Sequence, residues 1–259
     1  MAGTILDDIL GVAADRAADA ESRLPELMEG ARRQPPARGF ARAIARSGLS
    51  VIAEIKRRSP SAGVISEALD PVSRAVAYEA GGADAISVLT EPEFFGGSLE
   101  DLEAVRGAVA VPVLRKDFTV SPAQIWEARA AGSDAVLLIV AALDDETLAS
   151  LVAVAREVGV DAIVEAHTIE EVRRAVDARA AIIGVNNRDL ATFETDLSVA
   201  EGAAGAIPAG VITIGESGVS SVEGASRMHR AGYDAILVGE ALVRHEDPEV
   251  FVAALRAAR

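Results

Sequence analysis

Short, almost wholly apolar runs recur along the chain, each followed by a longer stretch with apolar residues three and four apart. The runs fall at 50–56, 85–89, 113–116, 135–139, 162–165, 182–186, 211–215 and 235–238. Runs this apolar predict strands covered on both faces, as in a parallel sheet. The stretches between them predict amphipathic helices at 71–80, 99–109, 122–131, 146–158, 169–176 and 222–231, with a last one at 248–258. Pro71, Pro122 and Pro248 open three of these, in the first turn, where a missing N–H costs nothing.

A short repeat sets the frame. The pattern Gly-x-Asp-Ala-[Ile/Val] begins at Gly82, Gly132, Gly159 and Gly232, where a helical stretch gives way to an apolar run. Glycine is the usual residue just past a helix C-terminus. The intervals of 50, 27 and 73 residues approximate two, one and three units of about 25, a fitting length for one strand and one helix. Eight such units predict a (β/α)8 TIM barrel occupying residues 1–259 as one domain. An open doubly wound sheet is the alternative, but no G-x-G-x-x-G turn supports it. Residues 1–48 form an N-terminal helical extension. Thr4 caps a helix running to about Arg23, Pro25 and Pro35-Pro36 break the pattern, and a short helix fits 40–46. The extension either plugs the bottom of the barrel or covers its mouth.

Composition narrows the partners. The chain has 25 Lys+Arg against 40 Asp+Glu, a formal charge of −15. That balance excludes non-specific nucleic-acid binding and disfavours an anionic membrane surface. An anionic ligand would need a local positive site. With no cysteine there is no disulfide, thiolate nucleophile or Cys-based metal site. His167, His229 and His245 show no metal-ligand spacing, so no metal is expected and none of the three is assigned a catalytic role. The start, MAGTILDDIL, has no basic leader and no run is long enough to span a bilayer, so a cytoplasmic location is expected.

Barrels of this class carry their active sites at the C-terminal ends of the strands. The chain's two lysines, Lys56 and Lys116, both fall there. Such positions are roughly a tenth of a barrel, so chance would place both there about once in a hundred. Arginine elsewhere takes the cationic role; lysine remains where a compact, titratable ammonium with a lowered pKa would serve. Alternation puts Glu54 and Lys56 on one face of the first strand. Glu165 and Glu216 end two further strands and need partners there. They are either structural Lys–Glu bridges or an acid–base set. Gly215–Gly218 and Gly239-Glu240 turn from the last two strands toward helix starts, where these barrels commonly cradle phosphate. Glu240 must then turn its side chain away and offer its backbone N–H. Phe94-Phe95 before Gly96-Gly97 either lines a pocket for a ring or packs under its loop; Trp126 is expected to pack on the barrel.

The segments IAEIKRRSPS (52–61), FFGGSLEDL (94–102), VLRKDF (113–118), DAIVEAH (161–167), GVNNRDL (184–190), IGESGV (214–219) and ILVGEAL (236–242) resemble the indole-3-glycerol phosphate synthase family, in its monofunctional form. The resemblance runs from about residue 4 to the end. Ala166-His167-Thr168 replaces the commoner Val-His-Asp, and the N-terminal arm matches least. It implies cofactor-free ring closure, decarboxylation and dehydration of 1-(2-carboxyphenylamino)-1-deoxyribulose 5-phosphate to indole-3-glycerol phosphate. By motif, Lys116 is the general acid that activates the ketone and Glu165 its proton-transferring partner in the dehydration. Glu54 and Asn186 orient these groups, Lys56 binds the anionic substrate, and Glu216 and Ser217 contact the sugar hydroxyls. Ser59, Gly218, Gly239 and the Glu240 amide hold the phosphate end, and Arg188 lies on the carboxylate side. Phe95, Phe118, Leu137, Leu190 and Leu237 wall the aromatic ring. One small phosphorylated substrate is the implied partner, with no nucleic acid or membrane, and a monomer or weak dimer. The alternative is a non-catalytic or divergent phosphate-metabolite-binding TIM barrel, against which Lys116 together with Glu165 argues, since binding alone needs no acid–base pair.

Overall fold

Strand and helix alternate from Ser50 to the C-terminus in the computed structural model, which describes residues 4–189 and 192–259. The strands are β1 (Ser50–Ile55), β2 (Ala85–Leu89), β3 (Val113–Lys116), β4 (Ala135–Ile139), β5 (Asp161–Ala166), β6 (Ile182–Asn186), β7 (Ile212–Glu216) and β8 (Ala235–Val238). They pair in parallel, each with its neighbour in sequence, and β8 returns to β1 to close the barrel. This is the expected (β/α)8 architecture. Alternation divides the side chains: Ile52, Leu114, Ile163, Ile182 and Ile214 fill the interior. Val51, Ile86, Val113, Leu138, Val164 and Ile236 face the helices.

The helices on the outside are α4 (Pro71–Ala80), α5 (Leu99–Ala108), α6 (Pro122–Ala130), α7 (Asp145–Val158), α8 (Ile169–Asp177), α9 (Ser198–Ala203), α10 (Val222–Arg230), α11 (Glu240–Arg244) and α12 (Pro248–Arg256). α9 and α11 have no counterpart among the expected helices; each is only five or six residues, too short to show a periodicity. A two-stranded hairpin, Arg58–Ser59 with Gly63–Val64, also emerges from the loop after β1. The glycines and aspartates of the repeat lie at the barrel floor, where helices end and strands begin. Its glycines take φ of 90°, 88°, 81° and 92°, as helix ends require. Its aspartates accept backbone N–H bonds from Val51, Val113 and Thr213 of the preceding strand, and from Ala41 in the case of Asp161, at 2.8–3.0 Å. Each carboxylate thus satisfies an amide at a strand's start or at the extension.

The extension does both jobs once expected as alternatives. α1 (Ile5–Ser22) starts from a capping box between Thr4 and Asp7 and crosses the mouth, with Ile5, Leu6 and Ile9 facing the cavity there. Arg16 fastens it to Asp117 at 3.0 and 2.6 Å. α3 (Phe40–Ile44) instead closes the floor: Phe40 and Ile44 are wholly buried among the inward residues of the strands. That burial is worth about 1.5–3 kcal/mol for each side chain. Between them the first helix ends at Ser22, just before Pro25, as expected, and Pro25 then opens a second helix, α2 (Leu24–Arg33), in its first turn. Trp126 packs with Leu24 and Leu27 of α2 and not on the barrel, because α2 covers the outer face of α6.

Candidate functional site

The C-terminal ends of the strands open on a cavity of about 440 Å³. Glu54, Lys56, Ser59, Lys116, Glu165, Asn186, Arg188, Glu216, Ser217, Gly218, Gly239 and Glu240 all line it, as do Phe95, Phe118, Leu137 and Leu237. Leu190 lies outside the described residues. Strand register explains the convergence: Glu165 stands beside Gly184, Asn186 beside Glu216, and Glu216 beside Leu237. All point inward at the open end of the barrel.

Lys116 is the hub. Its Nζ donates to Glu165 Oε2 at 2.7 Å and to Glu216 Oε2 at 2.9 Å. Asn186 Nδ2 donates to the other oxygen of Glu165 at 3.1 Å. Lys56 Nζ reaches Glu54 Oε1 at 2.7 Å. The bridges and the acid–base set are therefore the same groups. Two glycines make room for them: a Cβ at Gly184 would collide with Glu216 Oε1, and one at Gly239 with Glu54 Oε1.

One ammonium shared by two buried carboxylates cannot neutralise both, and the charge divides unevenly. Burial favours the neutral acid at Glu165, but Lys116, His167 and the bonds from Lys116 and Asn186 hold its pKa well below the carboxylate range. Among the described residues Glu216 has no second donor, and its Oε1 is buried without a partner. Burial, helped by the Glu165 charge, outweighs Lys116 and pushes Glu216 up to about 8. The neutral acid of the pair is therefore Glu216. Burial also acts to lower the pKa of Lys116, but Glu165, Glu216 and Glu54 overcome it and hold the ammonium above its ordinary range. This reverses the expected lowered pKa: Lys116 is a persistent cation and hydrogen-bond donor, and it gives up a proton only to an oxygen that has become strongly basic.

The walls are built by residues that carry no signal of their own. Glu91, 1% exposed, accepts the backbone N–H groups of Glu93, Phe94 and Phe95 and so folds the loop after β2. This brings Phe95 to 6.1 Å from Phe118, ring to ring, so the pair lines the cavity. Arg57 ties the loop after β1 to it through Asp101 and the Gly96 carbonyl. Phe193 and Thr195 line the cavity from the loop after β6, and Arg188 donates to the Phe193 carbonyl at 2.9 Å. At the far side Ser217 holds φ of 59° and Gly218 one of 78°. A serine in the left-handed region is strained, and such strain is kept where the turn serves a site. Gly239 is the residue just before α11, whose first amides lie at the cavity edge, and the Glu240 side chain accepts from Arg244 at 2.9 Å. His167, assigned no role above for want of metal-ligand spacing, lies by alternation on the face of Glu165, 3.5 Å from its Oε1. Among the described residues no group of three or more His, Cys, Asp or Glu is arranged to hold a metal ion, and no helix is long and apolar enough to cross a membrane.

In fold the chain is similar to thiamine phosphate pyrophosphorylase from Pyrococcus furiosus, with a TM-score of 0.61 at 16% identity, covering 80% of this chain and 94% of that one. It is equally similar to the N-acetylmannosamine-6-phosphate 2-epimerase from Clostridium perfringens, with a TM-score of 0.60 at 14% identity, covering 76% and 88%. Sequence relatives are far nearer. The indole-3-glycerol phosphate synthase of Kineococcus radiotolerans is 55% identical over 98% of this chain and 96% of its own. Those of Streptomyces griseus and Mycolicibacterium smegmatis are 51% and 50% identical, over 98% and 97% of this chain and 96% and 93% of theirs. The family described as indole-3-glycerol phosphate synthase matches residues 6–255. The chain belongs to the indole-3-glycerol phosphate synthase family, carboxy-lyases of tryptophan biosynthesis.

Proposed function

We propose that this chain converts 1-(2-carboxyphenylamino)-1-deoxyribulose 5-phosphate to indole-3-glycerol phosphate, with Lys116 as the central acid. The observation that carries the reading is Lys116 Nζ held between Glu165 and Glu216 at the cavity floor. The Lys116 ammonium donates to the ketone oxygen and transfers its proton as carbon–carbon bond formation turns that oxygen into an alkoxide. Attack by the ring carbon that bears the carboxylate leaves a cation, which the carboxylates of Glu54 and Glu165 stabilise until carbon dioxide departs. Dehydration then needs one group to take a proton and one to give one. Glu165, held ionised, takes it; Glu216, the neutral acid, supplies the proton for the leaving hydroxyl, either directly or by returning to Lys116 the proton that Lys116 gave up in ring closure.

The ligand's two ends suit the two sides of the cavity. Phe95, Phe118, Leu137 and Leu237 offer an apolar slot for the anthranilate ring. Lys56, Ser59, the turn Ser217-Gly218 and the start of α11 offer cations and amides for the phosphate. Lys56 and Arg188 supply the local positive charge that a chain of net −15 needs to hold an anion. The enzyme works in the cytoplasm. The test is direct: supply the anthranilate–ribulose phosphate to the unmutated protein and follow indole fluorescence. Product is expected without added metal or cofactor; absence of product overturns the assignment.

Gly184 offers a second check. Gly184→Ala places a methyl against Glu216 Oε1 and moves that carboxyl off Lys116. Turnover is expected to fall roughly tenfold to a hundredfold, the scale of an ångström-sized misplacement. Steady-state kinetics read it, and an unchanged kcat shows that Glu216 is not held in place for the reaction.

A further inference from the structure

Glu165 uses its two oxygens differently. Oε2 takes Lys116; Oε1 takes Asn186 and also faces His167 Nε2 at 3.5 Å. That nitrogen is buried and has no hydrogen-bond partner among the described residues. The other ring nitrogen, Nδ1, lies 3.3 Å from Glu171 Oε2, and the same oxygen accepts the His167 backbone N–H at 2.7 Å. Glu171 sits in the first turn of α8, capped by Thr168, so it is fixed from two sides. Both ring nitrogens therefore face carboxylates. A neutral imidazole has one N–H and would set a lone pair against one of them; an imidazolium has a donor for each. The titratable groups that face the ring are Glu165 on β5 and Glu171 on α8, both held ionised, and Glu216 on β7, the neutral acid of its pair, with Arg174 acting on Glu171 from the next turn of α8. Burial works against the charged ring, and the hydrogen bond to Glu171 with the charges of Glu165 and Glu171 outweighs it, which raises the pKa of His167.

We propose that His167 is a positioning residue for Glu165: anchored by Glu171 as an imidazolium, it donates from Nε2 to Glu165 Oε1 and keeps that carboxylate ionised. The inference rests on the reading of Glu165 as the proton carrier of the reaction. Its use follows from the order of steps. When Lys116 passes its proton to the ketone oxygen, Glu165 loses its cationic partner and would take up a proton too early. His167 is a second cation, outside the cavity lining, that stays in place through that step. A shift of about half an ångström brings the 3.5 Å gap into hydrogen-bond range.

Two measurements test this. The chain has three histidines, so the ring nitrogens are resolved by 15N NMR. His167 is expected to carry both ring protons at neutral pH and to titrate above the 6.5 or so of an ordinary histidine. Glu165→Gln, which removes the facing charge, should lower its midpoint by about one pH unit. This arm needs no turnover, so it is independent of the assigned reaction. In the second arm, pH–rate profiles are compared. His167→Ala and His167→Gln remove the cation, so the acid limb of kcat/KM should move up by about one pH unit in both. The glutamine keeps a donor near Glu165 and should hold the plateau within about threefold, whereas alanine should lose about tenfold. A singly protonated ring that Glu165→Gln leaves unmoved overturns the proposal. So does a lowered plateau with the acid limb in place, which marks a packing role only. A wild-type chain that makes no product overturns the reading of Glu165 instead.

Discussion

Lys116→Ala is expected to lower turnover at least about a hundredfold, the scale on which a positioned general acid contributes. The side chain spans the gap between Glu165 and Glu216, and no other ammonium in the described residues touches either carboxylate. Without it the ketone has no ammonium donor, and Glu165 and Glu216 lose the one cation they share. Lys116→Arg should fail as well. Its charge is the same, but a guanidinium does not release its proton near neutral pH, and its planar fork does not fit where Nζ sits at 2.7 and 2.9 Å from two converging oxygens. Indole fluorescence with the anthranilate–ribulose phosphate reads both variants. Turnover in Lys116→Ala within a few fold of the unmutated chain would remove Lys116 from the mechanism. Substantial activity in Lys116→Arg would reduce its part to charge alone.

The neighbouring residue should produce a comparably large effect on stability. Arg115 is 1% exposed and points the opposite way, out of the barrel and under α6. Its guanidinium bonds Asp117 at 3.1 Å, Glu127 at 2.9 Å, the Thr90 hydroxyl at 3.2 Å and the Gln124 carbonyl at 3.0 Å. Asp117 is buried too, and although burial acts to raise its pKa, Arg115, Arg16 and Thr90 hold it far below the usual carboxylate range. Arg115→Met fills much of the volume but leaves buried charge without its main partner. Such losses cost about 3–5 kcal/mol; Asp117 keeps Arg16 and Glu127 keeps Arg23, which places the expected cost near 3 kcal/mol. In a chain of this size that is a fall of roughly 6–12 °C in Tm. Thermal unfolding measures it, and a Tm within about 2 °C of the unmutated protein would show that the network contributes little. Asp117 also accepts the Phe118 amide at 2.8 Å and holds α1 through Arg16, so the loss should loosen the mouth as well.

Much of this was legible along the chain. The eight strands, the helices with Pro or Ser starts and the repeat at Gly82, Gly132, Gly159 and Gly232 follow from local rules of period and capping. Lys56, Lys116, Glu54, Glu165, Asn186 and Glu216 stand out because charged or amide groups ending apolar strands require a reason. The residues that were missed have reasons that are not local. Glu91 and Glu171 look like ordinary surface acids until the fold folds a loop onto one and a histidine against the other. Trp126 faces α2 because a helix from the extension, about a hundred residues earlier, covers that side.

The sequence by itself thus determined the barrel, its strand ends and which side chains meet there, since period and strand alternation are properties of neighbours along the chain. Only the tertiary structure decided the charges. That Lys116 stays a firm cation, that Glu216 and not Glu165 is the neutral acid, and that His167 faces Glu165 all depend on which partners lie within a few ångströms after folding. Burial and Coulomb interactions set the protonation of a group, and both are fixed by distances through space that no spacing along the chain reports.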